Sequence, residues 1–195
     1  MALSTEVNFR RTNFADDWEQ FILRPFVQYK FRPNFTGAIG YSNIKNYSFA
    51  SYATPMDNTE NNVWEQALIK QQLKGLNVSH RIRLEERFRE NIIKNNGNPY
   101  TDGTTYTTRL RYRFILDKPI IKNHNISAIL YDELFLNFEQ DLRPHIIDQN
   151  WIFAGFRFKD NAHFNITSGY HYIQVFKQNS SILNHIFETS LVYIL

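Results

Sequence analysis

Leu76-Asn-Val-Ser-His-Arg-Ile-Arg-Leu-Glu-Glu-Arg-Phe-Arg89 and Tyr106-Thr-Thr-Arg-Leu-Arg-Tyr-Arg-Phe-Ile-Leu116 set arginines and apolar residues at alternate positions. In a β-strand successive side chains point to opposite faces. Val78, Ile82, Leu84 and Phe88 therefore share one face, and Arg81, Arg83, Glu85, Arg87 and Arg89 share the other. The second stretch repeats the division, with Leu110, Tyr112, Phe114 and Leu116 opposite Arg109, Arg111 and Arg113. A sheet with one greasy and one charged face meets two different environments. In a soluble protein the greasy face is the core. In a transmembrane barrel it meets lipid, and the arginines line the lumen.

Working outward, the same alternation recurs at about 3–11, 18–31, 34–44, 63–74, 76–90, 105–116, 125–138, 150–159, 163–177 and 183–195. Most of these runs are much longer than the roughly 5–6 residues of an ordinary soluble strand. They suit a tilted membrane-crossing strand, which needs about 9–11 residues. The connections alternate in length. Arg32-Pro-Asn34, Lys74-Gly75 and Lys159-Asp-Asn-Ala162 are tight, whereas Asn43 to Asn62, Ile92 to Thr104 and Gln140 to Gln149 read as long polar loops. Traced up and down, the tight turns fall on one side and the long loops on the other, as in outer-membrane barrels. Asp117 to His124 is long for a turn, and Thr12 to Asp17 is short for a loop. Aromatics mark both ends. Phe31, Phe35, Phe114, Phe156, Phe158, Phe164 and Tyr193 lie toward the tight turns, and Trp18, Phe21, Phe88, Tyr106, Phe138 and Tyr172 toward the loops. Two such belts fit the two membrane–water interfaces.

Composition bounds the alternatives. The 195 residues are 43% hydrophobic and 16% aromatic, and mean hydropathy is −0.46. No segment approaches the roughly 18 apolar residues of a membrane helix, a test that barrels escape. There is no cysteine, which removes disulfides and thiolate metal sites. The net charge of +3 and pI near 9.0 invite nucleic acid, but the basic residues alternate with Leu, Ile and Phe instead of forming a patch, so no nucleic-acid partner is expected. Met1-Ala-Leu-Ser-Thr-Glu6 lacks the basic and apolar regions of a signal peptide, so the chain is either cytosolic or stands without its leader. No repeat or linker divides it, and residues 1–195 read as one domain.

Candidate chemistry concentrates on the charged face. Arg81, Arg83, Glu85, Arg87, Arg89, Arg109, Arg111 and Arg113 are joined by Tyr131, Glu133, Asn137 and Glu139, which share a parity opposite Leu130, Leu134 and Leu136. These residues either neutralise one another and close the pore, or attract an anionic ligand. The histidines, His80, His124, His145, His163, His171 and His185, have no H-x-H or H-x-x-x-H spacing, so no metal and no cofactor is expected. His80 lies on the apolar face, as an interfacial residue would. His171 shares a face with Asn165 and Thr167 and not with Ser168, so no Ser–His pair emerges on that strand. Asp16, Asp17, Asp141, His145 and Asp148 fall in loops, but lack the motifs of the omptin proteases. No catalytic residue is assigned.

Several segments resemble an uncharacterised outer-membrane β-barrel family of Gram-negative, especially Bacteroidetes-like, bacteria, catalogued as a domain of unknown function. They are His80-Arg-Ile-Arg-Leu-Glu-Glu-Arg-Phe88, Arg109-Leu-Arg-Tyr-Arg113, Tyr131-Asp-Glu-Leu-Phe-Leu-Asn137, Gln149-Asn-Trp-Ile-Phe-Ala-Gly155 and Ser168-Gly-Tyr-His-Tyr172. The resemblance implies an outer-membrane barrel and brings no activity. The last segment, with Phe187, Thr189, Leu191, Tyr193 and Leu195 on one face, is similar to the terminal strand read by the barrel-assembly machinery, except that it ends in Leu rather than Phe. The expectation is a single all-β, antiparallel, up-and-down transmembrane barrel of about ten strands in a bacterial outer membrane. Its partners are the lipid bilayer with its lipopolysaccharide, the barrel-assembly machinery and an outer-membrane protein complex. Its role is structural or accessory, or that of a narrow, largely plugged pore. The alternatives are a soluble calyx for a lipid-like ligand, with the arginines outside, and an outer-membrane hydrolase of omptin or lipase type.

Overall fold

The alternation of side chains builds ten strands: β1 (Ala2–Thr12), β2 (Asp17–Arg32), β3 (Phe35–Asn46), β4 (Asn58–Leu73), β5 (Leu76–Asn95), β6 (Asn98–Ile121), β7 (Ile126–Asn137), β8 (Ile147–Asp160), β9 (Phe164–Phe176) and β10 (Ser181–Ile194). The computed structural model describes residues 1–13, 15–48, 54–121, 125–138, 146–160, 163–177 and 180–195. Each strand pairs antiparallel with its sequence neighbour, and β1 closes on β10 through a ladder from Ser4 opposite Ile194 to Arg11 opposite Phe187. Closure leaves no edge strand with unpaired backbone groups, which a hydrocarbon environment requires.

Three elements depart from the sequence reading. The polar stretch from Ile92 to Thr104 is not a loop but the continuation of β5 and β6, with Ile92 opposite Thr101 and Asn95 opposite Asn98 after a bulge at Glu90 to Ile92. Its tip is Asn96-Gly97, with φ of 49° and 84°. Positive φ at both central residues is the demand of a tight type I′ hairpin turn, which Asn-Gly meets at little steric cost. The hairpin has no need of apolar residues because it extends beyond the apolar band. Asp148, read as a loop acid, lies inside β8 and is buried. Likewise β4 begins at Asn58, earlier than the alternation indicated.

The outer surface carries Leu23, Ile39, Val63, Ile82, Leu130 and Ile152 exposed between the two aromatic groups. Toward the tight turns, Phe31 packs against Tyr29 and Phe35 at ring-centroid distances of 4.8 and 5.5 Å. Toward the loops, Phe88 meets Tyr106 at 5.2 Å and Trp18 meets Tyr47 at 5.8 Å. His80 sits on this outer face, 5.3 Å from the Phe114 ring and with its Nδ1 2.8 Å from the Tyr112 hydroxyl. The outer face has polar interruptions: Glu65 is exposed there, and Asp132 accepts a hydrogen bond from Asn150 at 2.5 Å. The inner face is buried and holds Arg83, Glu85, Arg87, Arg109, Arg111 and Glu133. A soluble calyx with its arginines outside needs the opposite arrangement.

This inversion gives a direct test. Leu23 projects outward beside Val7 and Asn43, away from any carboxylate in its paired register. Leu23→Arg should cost about 2 kcal/mol of unfolding free energy in lipid vesicles, because a lipid-facing guanidinium is expensive. On a water-facing strand the same change would stay within about 0.5 kcal/mol, and a shift that small would contradict a lipid-facing wall.

Candidate functional site

Register brings the lumen charges together. Glu85 on β5 faces Arg109 on β6, and Arg113 on β6 faces Glu133 on β7. Buried ions need partners, because the loss of hydration far exceeds what an unpaired charge recovers. Arginine meets that need best, since its planar fork gives a carboxylate two parallel hydrogen bonds.

Glu133, fully buried, accepts from three arginines: Arg111 at 2.9 and 2.9 Å, Arg113 at 2.9 and 2.5 Å, and Arg81 at 2.5 Å. Glu85 accepts from Arg109 at 3.0 and 2.6 Å and from Arg111 at 2.7 Å, with Arg83 3.8 Å away. Arg111 thus bridges the two central carboxylates. Toward the loops, Arg87 donates two bonds to Glu60, at 2.8 and 2.7 Å. On the opposite wall, Arg10 donates to Glu188 at 2.6 Å and to Gln20 at 2.6 Å. Arg24 pairs with Glu6 at 3.1 Å and donates to the Ser42 hydroxyl at 2.9 Å. Toward the tight turns, Arg157 pairs with Asp117 at 2.8 Å. Among the described residues, nine arginines share these six carboxylates, so the paired lumen carries an excess of positive charge.

The other half of the interior is aromatic and aliphatic. Phe135, Trp151, Ile173 and Ile186 form one buried cluster, and Ile129, Tyr131 and Phe153 a second. The arginines lie on these rings: Arg111 is 4.4 Å from the Phe135 centroid, Arg113 3.9 Å from Tyr131, and Arg10 4.5 Å from Trp151. Cation–π contact lets the guanidinium faces pack on carbon while their edges hydrogen-bond. The Phe153 ring can lie against the wall because Gly155, two residues on in its own strand, and Gly169, opposite Gly155 on β9, carry no side chain; a Cβ on Gly169 would sit 2.6 Å from Phe153 Cζ and 2.4 Å from the Ala154 carbonyl oxygen. His171 is enclosed here, with Nε2 3.0 Å from the Tyr131 hydroxyl and 3.4 Å from Glu188. Neither partner is a serine.

Two cavities flank this packed middle. One, of about 280 Å³ on the loop side, is lined by residues including Arg10, Arg24, Arg89, Arg109, Arg111 and Glu19. The other, of about 450 Å³ on the tight-turn side, includes Glu6, Arg81, Arg83, Arg113, Tyr131 and Glu188. The ion pairs join one cavity's wall to the other's: Arg10 to Glu188, Arg24 to Glu6, and Arg111 through Glu133 to Arg81 and Arg113. These pairs run along the wall between neighbouring strands or, for Arg81, past one strand; Arg10 of β1 and Arg111 of β6, 4.5 and 5.8 Å from the Trp151 centroid on β8, carry the network across the lumen as a septum.

The structure places Arg81, Arg83, Glu85, Arg87, Arg109, Arg111, Arg113, Tyr131 and Glu133 in this network or on the rings within it. Arg89 lines the loop-side cavity. Asn137 lies at the loop end of β7, where its backbone N–H donates to the Ile146 carbonyl at 3.0 Å. Of the loop candidates, Asp16 is in the β1–β2 connection and Asp17 begins β2, while Asp141 and His145 lie outside the described residues, as do Glu139 and His124. Sequence reading missed Glu6, Arg10, Arg24, Glu60 and Glu188, although Ser4, Glu6, Asn8, Arg10 and Thr12 share one parity and were open to the same argument.

A closed antiparallel barrel, apolar outside and ion-paired within, defines the class: this is a ten-stranded β-barrel of the outer-membrane-protein fold. The chain belongs to the family described as Protein of unknown function (DUF2490), whose profile matches residues 1–184. Among solved structures it is similar to the NanC porin in its rhombohedral crystal form, at 8% identity and a TM-score of 0.50 over the whole of both chains. It is also similar to the beta domain of the Bordetella autotransporter BrkA, at 10% identity and a TM-score of 0.53 over 98% of this chain and 97% of that one. At these identities the likeness is one of fold. No curated protein sequence matches the chain.

Proposed function

We propose that this chain resides in the bacterial outer membrane as a closed barrel, with a structural or accessory role within an outer-membrane protein complex and without steady conduction. The observation that carries this reading is the septum, in which loop-side arginines are tied to tight-turn-side carboxylates along the wall, and Arg10 and Arg111 meet from different strands over the Trp151 ring. Small barrels are filled by their own side chains. Here the filling is ionic on β4 to β7 and on β10, β1 and β2, and largely aromatic on β7 to β9 between them, and the parts are locked by guanidinium groups on rings. Lipopolysaccharide and phospholipid would surround the apolar band, and the terminal strand with Phe187, Leu191 and Tyr193 would serve insertion by the barrel-assembly machinery.

Planar-bilayer recording tests the closed lumen. The purified barrel should insert, judged by heat-modifiable gel mobility in the same preparation, and leave the current at baseline. A wide, steady conductance would overturn the proposal.

A further inference from the structure

Both cavities are lined by more cations than carboxylates, but among the described residues only the one on the tight-turn side has buried guanidinium nitrogens without a hydrogen-bond partner. Its cationic lining, Lys70, Arg81, Arg83, Arg113, Arg157 and Lys159, faces two lining carboxylates, Glu6 and Glu188. Both of those are already engaged, Glu6 by Arg24 and Glu188 by Arg10. Asp117, just beyond the lining, is engaged by Arg157. Lys70 and Lys159 carry no ion pair among the described residues, are exposed, and stand at the tight-turn ends of β4 and β8. Lys70 lies in the field of the like charges of Lys159, Arg157 and Lys30. Deeper in, the Arg83 side chain is only 3% exposed, yet its Nη1 has no hydrogen-bond partner, and neither has Nε of Arg81. Like charges held together and buried donors left unmatched both cost free energy. An oxyanion in the cavity would relieve both.

We propose that this cavity is a binding site for a small organic oxyanion, a carboxylate or phosphate with an apolar body, entering from the tight-turn mouth. In outer-membrane barrels that mouth opens to the periplasm. The lysines draw the anion in, and the arginines of the septum receive its oxygens. Phe26, Trp64 and Tyr131, which line the same space, receive its carbon body. The volume of about 450 Å³ suits a molecule of that size. The ligand is a free solute rather than a lipid headgroup, because the closed strand wall separates the cavity from the acyl chains. The site does not depend on whether the lumen conducts, since it fills one side of the septum only.

Calorimetric titration of the folded barrel in zwitterionic detergent at low salt tests this, with benzoate and inorganic phosphate as probes and benzyl alcohol as the neutral control. Saturable binding of the anions but not of benzyl alcohol is expected, weakening as salt rises. Lys70→Gln/Lys159→Gln should weaken it by about tenfold or more, whereas Lys177→Gln, in the loop-side lining, should leave it unchanged. These lysines form no part of the septum, so the variants are expected to fold, and gel mobility verifies that in each sample. Three results would overturn the proposal: no saturable anion binding, equal binding of benzyl alcohol, or full affinity in the double lysine variant.

Discussion

Glu133→Ala should be the most damaging single change in this protein, lowering its unfolding free energy by about 3–5 kcal/mol, because removing one member of a buried ion network strands the others. Arg81 and Arg113 are stranded and Arg111 is left with Glu85 alone; together the three place five hydrogen bonds on this one carboxylate. Urea unfolding in vesicles, followed by tryptophan fluorescence or by gel mobility, reads the loss. Glu60→Ala gives the internal comparison. Glu60 holds a single bidentate arginine, Arg87, and borders the loop-side cavity. Its loss leaves one guanidinium able to turn toward water and should cost about 1–2 kcal/mol. Equal effects at the two sites would mean that the central network is no more demanding than its rim, and the septum would lose its energetic basis.

The second large effect is on permeation. Arg10→Ala/Arg111→Ala removes the loop-side ends of two of the three links that separate the cavities of about 280 and 450 Å³. Glu133 keeps Arg81 and Arg113, Glu85 keeps Arg109, and Glu188 keeps the His171 imidazole at 3.4 Å as a hydrogen-bonding neighbour. The variant should therefore fold, and should show discrete conductance steps in planar bilayers where the parent protein shows none. A variant that inserts but stays silent would place the barrier elsewhere. The aromatic wall of Phe135, Trp151 and Phe153 is then the element to remove next.

Much of the architecture was legible because a strand's side-chain period is two. Once Arg81 to Arg89 and Arg109 to Arg113 are set against Ile82, Leu84, Leu110 and Tyr112, every residue of those strands is assigned to one face or the other. Strand length and the alternation of tight and long connections then chose lipid for the apolar face. Where the reading slipped, polarity was taken as a loop. Ile92 to Thr104 is mostly polar because its hairpin stands clear of the apolar band, and Asn96-Gly97 was the available turn signal. Asp148 is polar because it faces the lumen, not because it lies in a connection.

Sequence by itself determined which residues enter the lumen on β5, β6 and β7, since parity is a local property. Only the tertiary structure decided which carboxylate each arginine meets. Arg81 reaches past β6 to Glu133 on β7, and Arg10 finds Glu188 at the far end of the chain because β1 closes on β10. Those pairings depend on register, shear and closure, which no single strand encodes. For the same reason the septum, and the excess of cations lining the cavities on both its sides, became visible only when the ten strands were joined.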